Sequence, residues 1–167
     1  MTVFVTDVDV FADARGDRQR AVEESLLQSC LYALRRYGQR GWLDALVARA
    51  EHVYPTIAPG SVELVISDGP YWCAKAAWDR FKNWSAFRAW YEPHVEAWGR
   101  VCAPSATVYL WGTQRSVREL VPVMEAAGWT YGQTVTWLKE DPQAQKGHEA
   151  ARCWLDFTES CDVWTRE

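Results

Sequence analysis

The sequence lacks several features that would assign it to a well-defined class at once. It has no apolar run long enough to span a membrane, and its first residues, MTVFVTDVDV, include acids where a signal peptide carries basic side chains. Its net charge is −4, so no general positive field attracts polyanions, and tight nucleic-acid binding by the chain alone is disfavoured. None of its five cysteines stands in a C-x-x-C pair, which argues against a zinc ribbon and a disulfide framework. Together these absences predict a cytoplasmic protein.

The composition fits one ordinary hydrophobic core. The chain has 167 residues, 49% of them hydrophobic, and no linker-like run rich in Pro, Gly or Ser divides it. The cysteines are interpreted as small buried apolar residues. The eleven tryptophans are far above ordinary usage, and such large rings most often fill a core. Because His52, His94 and His148 lack the spacing of metal ligands, no metal site is expected.

Hydrophobic periodicity and turn residues outline the secondary structure. Helices are predicted over Arg18 to Tyr37, Trp42 to Val53, Asn83 to Cys102 and Arg115 to Ala127. Strands are predicted over Val62 to Ser67, Ala106 to Trp111, Trp129 to Leu138 and Cys161 to Thr165, with a polar loop over Lys139 to Gly147. Pro93 lies inside the third helix, where a kink or a restart is expected. The alternation of strands and helices predicts an α/β fold in which helices pack on a largely parallel sheet.

The most informative local feature is a buried strand that ends in a turn. The stretch VELVISDGPYW runs apolar and β-branched and then meets, in succession, Asp68, Gly69, Pro70 and Tyr71. Ligands of open α/β sheets bind beyond the carboxyl ends of the strands, which makes this turn a favoured place for chemistry. Asp68 can accept a proton or a hydrogen bond, the Gly-Pro turn exposes backbone carbonyls, and Tyr71 offers a flat stacking face. These groups suit a planar base with an exocyclic amine, although Asp-Gly-Pro also occurs in ordinary turns.

Further short motifs follow the turn in a fixed order. They are Trp90-Tyr91, Arg100-Val101-Cys102-Ala103-Pro104, Val108 to Gly112, Gly128-Trp129, Trp137-Leu138-Lys139 and Glu159 to Arg166. As an ordered set from about Pro59 to Arg166, they resemble the catalytic half of DNA amino-methyltransferases of the permuted beta-type group, which methylate adenine N6 or cytosine N4. The motif of that family at residues 68–71 is (D/N/S)-P-P-(Y/F/W). The resemblance implies part of a Rossmann-like methyltransferase sheet with flanking helices over residues 59–167, after an N-terminal helical segment over residues 1–58.

The resemblance also implies a mechanism. Asp68 and the backbone carbonyl of Gly69 would accept the two amino hydrogens of the base, in a turn completed by Pro70. Tyr71 would stack on the base after it has left the duplex. S-adenosylmethionine would donate the methyl group in line, with Asp68 at the shared edge of its site. An Asp at the first motif position favours adenine over cytosine as the target.

Several side chains near the turn are candidate substrate contacts. Trp72 belongs to a set of tryptophans at six-residue spacing, which could order over DNA or simply fill the core. Lys75, Arg80, Lys82 and Arg88 form a basic stretch that either meets phosphates or makes a solvated face. Lys139 lies in the polar loop, where the DNA-reading insertion of the family often begins. DNA is the partner that these residues predict.

Two departures from the family pattern affect the prediction. Gly69 replaces the first proline, which keeps the carbonyl and loosens the turn. None of the ten glycines forms a G-x-G pair, whereas the family binds its donor through an F-x-G-x-G loop. The chain is therefore interpreted as a fragment of a longer enzyme, one chain of a split enzyme, or a remnant without catalysis. Because half of a methyltransferase sheet exposes strand edges and apolar faces, we expect self-association or a complementary chain that carries the donor-binding half.

Two other functions stay open beside DNA methylation of the kind found in restriction-modification. A domain of this shape could be a non-catalytic assembly or specificity subunit, since fold does not imply activity. Related motifs also methylate RNA bases or a glutamine amide in proteins. Methyl transfer onto DNA, RNA and protein distinguishes these functions.

Overall fold

The computed structural model describes residues 2–6, 43–47, 50–73, 79–138 and 158–166. The strands in these ranges are β1 (Thr2–Thr6), β2 (Leu43–Val47), β3 (Val62–Ser67), β4 (Cys102–Gly112), β5 (Thr130–Leu138) and β6 (Thr158–Thr165). The helices are α1 (Ala50–Val53), α2 (Trp84–Val101) and α3 (Gln114–Ala126), and a 3₁₀ turn covers Tyr54–Thr56. Of the helices in the described residues, none is sufficiently long and apolar to cross a membrane.

Four strands form the main sheet in the order β3-β4-β6-β5. Strand β3 lies parallel to β4, whereas β6 runs antiparallel to both of its neighbours, β4 and β5. The α/β fold class, with helices flanking a sheet, is confirmed, but the sheet is mixed and not largely parallel. Hydrophobic periodicity indicates which residues face the core and carries no information on strand direction, which explains the error. Strands β1 and β2 pair in parallel as a separate two-stranded sheet.

The core lies between the main sheet and helices α2 and α3. Alternate residues of β4 are buried, as expected of a strand with one face against helices: Ala106, Val108 and Leu110. Trp164 of β6 is fully buried in the same cluster. The helices contribute the buried side chains Phe87, Tyr91, Val95, Trp98, Leu120 and Met124. Because full burial of a large apolar side chain is worth about 1.5–3 kcal/mol, this cluster is the main source of stability for the sheet that carries β3.

Helix α2 begins with a side-chain cap, which gives a first prediction. The Oδ1 atom of Asn83 accepts a hydrogen bond from the backbone N–H of Ala86 at 2.8 Å. Asn83→Ala leaves that N–H without its partner, and we expect the free energy of unfolding to fall by about 1 kcal/mol in urea denaturation. Ser85→Ala changes an exposed position in the same turn and is the control, with an expected change below about 0.5 kcal/mol. Equal losses in the two variants would contradict the capping role.

Most predicted elements are confirmed within a few residues of their bounds. The exception is the helix predicted over Trp42 to Val53, which is wrong at Leu43–Val47 because these residues form β2. An apolar run this short fits both the period of a helix and the period of a strand, and pairing with β1 favours the strand. Helix α2 continues through Pro93 and does not restart there. Strand β3 was expected to be buried, but only Val62 of it is, because β3 lies at the end of the strand order in the described residues and one of its faces is open there. The helix predicted over Arg18 to Tyr37 and the loop predicted over Lys139 to Gly147 lie outside the described residues.

The cysteines divide into buried and exposed positions. Cys102 and Cys161 are buried, and burial raises the pKa of both thiols to about 11. Their interpretation as small buried residues is confirmed, and their thiols stay protonated at neutral pH. The same interpretation is wrong for Cys73, which is exposed. Cys30 and Cys153 belong to the undescribed part of the chain.

Candidate functional site

The candidate site is the turn of residues 68–73 after β3, called the motif turn below. Ser67, the last residue of β3, pairs with Leu110 of β4, and Asp68 follows directly. The Asp68 side chain is exposed, and the Tyr71 hydroxyl donates a hydrogen bond to its Oδ1 atom at 2.6 Å. The acid and the phenol singled out from the sequence therefore lie side by side at the carboxyl end of the strand.

Tyr71 is a neutral hydrogen-bond donor in this pair. Burial raises the pKa of its hydroxyl above the ordinary value, and the hydrogen bond to Asp68 raises it further, as do the nearby charges of Asp68 and Glu159. The phenol is therefore protonated at neutral pH and donates to the carboxylate. Among the described residues, no hydrogen bond reaches the second carboxylate oxygen of Asp68, Oδ2. That oxygen is accessible to a ligand.

A buried carboxylate holds the second half of the motif turn. The side chain of Asp79, only 3% exposed, accepts hydrogen bonds from three consecutive backbone N–H groups. Oδ1 accepts from Tyr71 at 2.8 Å and from Trp72 at 2.5 Å, and Oδ2 accepts from Cys73 at 2.7 Å. Trp72 has a φ of 56°, in the left-handed region that non-glycine residues rarely adopt. The three hydrogen bonds stabilise this unusual backbone.

Helix α2 contacts the first half of the motif turn through Tyr91. Its buried hydroxyl donates a hydrogen bond to the carbonyl oxygen of Pro70 at 3.0 Å. A Cβ atom at Gly69 would lie 2.5 Å from the same hydroxyl oxygen, closer than real Cβ atoms approach a neighbour. Any side chain at residue 69 would therefore require Tyr91 or the turn to shift. Burial raises the pKa of Tyr91 above its ordinary value, so this hydroxyl also stays protonated.

The motif turn is joined to the core through Trp72. The half-buried ring of Trp72 lies with its centroid 4.1 Å from that of Trp84, and 6.5 Å from those of Phe81 and Phe87. Phe87 is fully buried, so a core residue supports the turn directly. This packing agrees with the core-filling role considered for Trp72 from the sequence. A contact of Trp72 with substrate stays a prediction.

The predicted phosphate contacts are only partly within the described residues. Arg80 and Lys82 are exposed and follow Asp79 closely in the chain. Lys75 and Lys139 lie outside the described residues. A further cation near the turn was not predicted: the guanidinium of Arg115 lies 4.6 Å from the ring centroid of Trp84. Arg88, the last residue of the predicted basic stretch, is paired with Glu119 at 2.5 Å.

A second polar region lies away from the motif turn. A groove of about 480 Å³ between α3 and strands β5 and β6 is lined by, among others, Gln114, Arg118, Tyr131, Thr134, Ser160 and Asp162. Burial raises the pKa of the Asp162 carboxyl, although the hydrogen bond from Thr134 and the charge of Arg118 act in the opposite direction. None of the motif-turn residues lines this groove. Across the ranges the structure describes, no three His, Cys, Asp or Glu side chains converge as metal ligands would.

Sequence reasoning missed two residues that contact the motif turn. Asp79 stands in the run AAWDRF, where an acid among aromatic residues is the only signal and is not specific to a buried carboxylate. Tyr91 stood out in the sequence as part of the short motif Trp90-Tyr91, and its side chain is buried. Only the packing of α2 against the turn shows that its hydroxyl reaches Pro70.

The main sheet with its two helices has the fold of DNA methyltransferases. TTHA0409 of Thermus thermophilus, whose proposed role is that of a DNA modification methylase, matches with a TM-score of 0.53 and 14% identity, over 70% of this chain and 50% of that chain. Its complex with S-adenosyl-L-methionine matches with a TM-score of 0.53 and 15% identity, over 70% and 50% of the two chains. The PvuII DNA methyltransferase, which is cytosine-N4-specific, matches with a TM-score of 0.57 and 9% identity, over 71% of this chain and 47% of that chain.

These matches establish the fold and do not establish an activity. This chain spans about half the length of the solved structures that it matches. Comparison with family models and with curated proteins finds no match to the sequence. The methyltransferase-like sheet expected from the sequence is confirmed, while the permuted order and the roles of the motif residues stay predictions.

Proposed function

We propose that this chain is the base-binding half of an S-adenosylmethionine-dependent DNA amino-methyltransferase. The observation that carries the proposal is the exposed Asp68 carboxylate, which accepts a hydrogen bond from Tyr71 at 2.6 Å at the carboxyl end of β3. The likeness of the sheet to solved DNA methyltransferases, with TM-scores of 0.53 and 0.57, supports it. The methyltransferase unit of this proposal covers residues 59–167, and no role is given to residues 1–58.

The acceptors of the turn match the needs of an aromatic amine. The lone pair of such an amine is delocalised into the ring, so the nitrogen becomes a nucleophile only when it is drawn towards a tetrahedral state. Asp68 accepts one amino hydrogen through Oδ2, and the backbone carbonyl of Gly69 accepts the other. The neighbouring carbonyl of Pro70 already accepts one hydrogen bond from Tyr91, and Gly69 is the proposed backbone acceptor. The carboxylate also stabilises the positive charge that develops on the nitrogen as the methyl group arrives.

In this proposal, the Tyr71 ring and the Asp68 carboxylate contact two different parts of the same base. The ring stacks on the face of the flipped base, while the carboxylate meets its amino edge. The hydrogen bond between the two side chains fixes the position of the Tyr71 ring, which would contact the face of the base, relative to the Asp68 carboxylate, which would contact its edge. Adenine N6 is the favoured target because an Asp stands at the first motif position, and cytosine N4 is the alternative.

The proposed methyl donor is S-adenosylmethionine, which TTHA0409 binds in one of its solved structures. When bound, it supplies the methyl group from a sulfonium centre. The residues of this chain do not fit a complete donor site, because none of its ten glycines forms a G-x-G pair. Asp68 lies at the edge that the two sites would share. The chain therefore accounts for the binding and orientation of the base, and the donor-binding residues belong to a complementary half.

The edge of the main sheet beside the turn is the proposed surface for that half. Within the described residues, β3 pairs with β4 on one side only. Leu64, Ile66 and Tyr109 lie on one face there and are 40%, 57% and 36% exposed. An unpaired strand edge next to exposed apolar side chains favours strand addition by a partner. The partner is a donor-binding chain or segment, and association with a second copy of this chain is the alternative.

DNA is the proposed macromolecular substrate. Arg80 and Lys82 are exposed on the stretch that follows the motif turn, where they can neutralise phosphates beside a flipped nucleotide. The net charge of −4 gives no general attraction for DNA, so binding depends on such local cations and on the complementary half. Lys75 and Lys139 keep the same proposed role from the sequence alone.

A second candidate function is that of a non-catalytic methyltransferase-like subunit for assembly or specificity. The absence of a G-x-G pair from the sequence favours it. The chemistry of the turn favours the enzyme, since an exposed carboxylate beside a stacking ring has no evident role in a purely structural subunit. An RNA base or a protein amide is the remaining alternative as substrate.

A methyl-transfer experiment tests the proposed function. The full chain is incubated with tritiated S-adenosylmethionine and duplex DNA, RNA or protein, with and without a candidate donor-binding chain that carries an F-x-G-x-G loop. We expect incorporation into duplex DNA only when both chains are present, with N6-methyladenine as the product in nucleoside mass spectrometry. Incorporation into RNA or protein would replace DNA as the substrate. A complex of the two chains without any transfer would favour the non-catalytic subunit.

A further inference from the structure

We propose that Tyr91 and Asp79 are positioning residues for the Asp68–Tyr71 pair, and that Gly69 and Tyr91 are a matched pair in which the phenol restrains the turn in place of a proline ring. The inference rests on the proposed function for its purpose, but its contacts are properties of the folded chain. It concerns the one clear departure of the motif turn from the family pattern, the glycine at position 69.

The contacts of Tyr91 answer the question of how a turn with glycine stays ordered. Glycine samples far more backbone conformations than proline, so Gly69 alone would loosen the carbonyl that follows Asp68. The Tyr91 hydroxyl removes this freedom in two ways. It donates a hydrogen bond to the carbonyl of Pro70 at 3.0 Å, and it fills the space that a Cβ atom at residue 69 would need. Because Tyr91 is buried in the core cluster, its hydroxyl has a fixed position from which to hold the turn.

Asp79 holds the turn from its other end. A carboxylate that is 3% exposed loses most of its hydration, and the three backbone N–H groups of residues 71–73 replace it. These hydrogen bonds fix the backbone of Tyr71 and the left-handed conformation of Trp72, whose φ is 56°. A strained residue of this kind persists only where its surroundings determine it, and such residues concentrate at functional sites.

The two holding residues act on opposite sides of the pair that they position. Tyr91 fixes the backbone at Gly69 and Pro70, directly after Asp68. Asp79 fixes the backbone of Tyr71 and its successor. The direction in which the Tyr71 side chain leaves the turn is therefore set from both ends, and with it the 2.6 Å hydrogen bond to Asp68. Neither Tyr91 nor Asp79 needs to touch the base for this role.

A double-mutant cycle tests the matched pair. Gly69→Ala places a methyl group 2.5 Å from the Tyr91 hydroxyl oxygen, whereas the same change in a Tyr91→Phe background meets the ring carbon Cζ as its nearest neighbour, at 3.2 Å. We expect Gly69→Ala to lower the urea midpoint of unfolding clearly in the wild-type background, and by about half as much or less in the Tyr91→Phe background. Gly99→Ala is the matched control because a Cβ atom at Gly99 meets nothing within 4 Å. Its effect is expected to be the same in both backgrounds.

The NMR signal of the Asp68 carboxyl carbon tests the positioning role and does not require methyl transfer. In protein labelled with ¹³C-aspartate, the carboxyl shift of Asp68 reports the hydrogen bond from Tyr71, and Tyr71→Phe supplies the reference value without that bond. We expect Tyr91→Phe and Asp79→Asn to move the Asp68 signal towards the Tyr71→Phe value. A merely structural role would lower the urea midpoint and leave the Asp68 signal at its wild-type position.

Each outcome has a defined meaning. Equal effects of Gly69→Ala in the two backgrounds would overturn the matched pair. An unchanged Asp68 signal in folded Tyr91→Phe and Asp79→Asn would overturn the positioning role. If both tests succeed and the wild-type chain transfers no methyl group with any partner, the proposed function fails and the arrangement of the turn stands. In an active complex, Tyr91→Phe is expected to lower kcat by about tenfold or more with little change in KM for DNA.

Discussion

Under the proposed function, replacing Asp68 by alanine is expected to abolish methyl transfer by the complex with the donor-binding half, with kcat reduced by at least about a hundredfold. The carboxylate is the only side-chain acceptor that the motif turn presents to solvent next to the stacking ring of Tyr71 among the described residues. Without it, the amino nitrogen keeps its planar geometry, and the developing positive charge has no partner. The measurement is single-turnover incorporation of tritium into duplex DNA, which separates chemistry from DNA binding.

Two further variants give the Asp68 experiment its controls. Glu63→Ala removes an exposed acid from the same strand and is expected to leave the rate within about twofold, since surface changes rarely affect a distant site. Asp68→Asn keeps the size and one acceptor, and the family motif admits Asn, so measurable activity is expected. Full turnover by Asp68→Ala would remove the role given to this carboxylate.

Replacing Phe87 by alanine is expected to lower the free energy of unfolding by about 3–5 kcal/mol. Phe87 is fully buried, and its ring contacts four other aromatic rings, with centroid distances of 5.2–6.5 Å to Phe81, Tyr91, Trp84 and Trp72. Truncation leaves a cavity that these large rings cannot fill without leaving their rotamers. Equilibrium urea unfolding, followed by far-UV circular dichroism, measures the loss.

Leu138→Ala is the matched control for Phe87→Ala. It removes a large apolar side chain that is 69% exposed at the end of β5, and the expected change is within about 0.5 kcal/mol. A loss below about 1 kcal/mol for Phe87→Ala would show that the aromatic cluster repacks freely. The motif turn would then have no rigid support through Trp72.

The sequence is most informative where local signals and tertiary packing agree. The strand before the motif turn was predicted correctly because a short apolar and β-branched run ends at turn residues, and the helix after Asn83 because a period of about 3.6 is visible over its length. At Leu43–Val47 the apolar run is too short to show a period, and pairing with β1 decided its conformation. The antiparallel direction of β6 could not be predicted, since it depends on the path of the chain and not on the pattern of side chains.

In the candidate site, too, the features with a local sequence signal were predicted and those that depend on tertiary packing were not. Asp68 and Tyr71 were found because strand end, turn and side-chain chemistry coincide within a few residues. The contact between Gly69 and Tyr91 joins positions far apart in the chain, and no spacing rule connects a glycine in a turn to a hydroxyl on a later helix. From the sequence, Gly69 indicated a loosened turn. The packing of α2 corrects this interpretation, because the space beside Gly69 is already filled.

The hydrogen bond between Tyr71 and Asp68 also determines when the site loses its conformational entropy. The two side chains give up their rotamer freedom as the chain folds, while the hydrophobic core supplies the compensating free energy. Under the proposed function, an incoming nucleotide would therefore find both groups in place, and little further ordering of the protein would accompany its arrival. The entropic cost of that encounter would fall chiefly on the DNA, which must release the nucleotide from its stack.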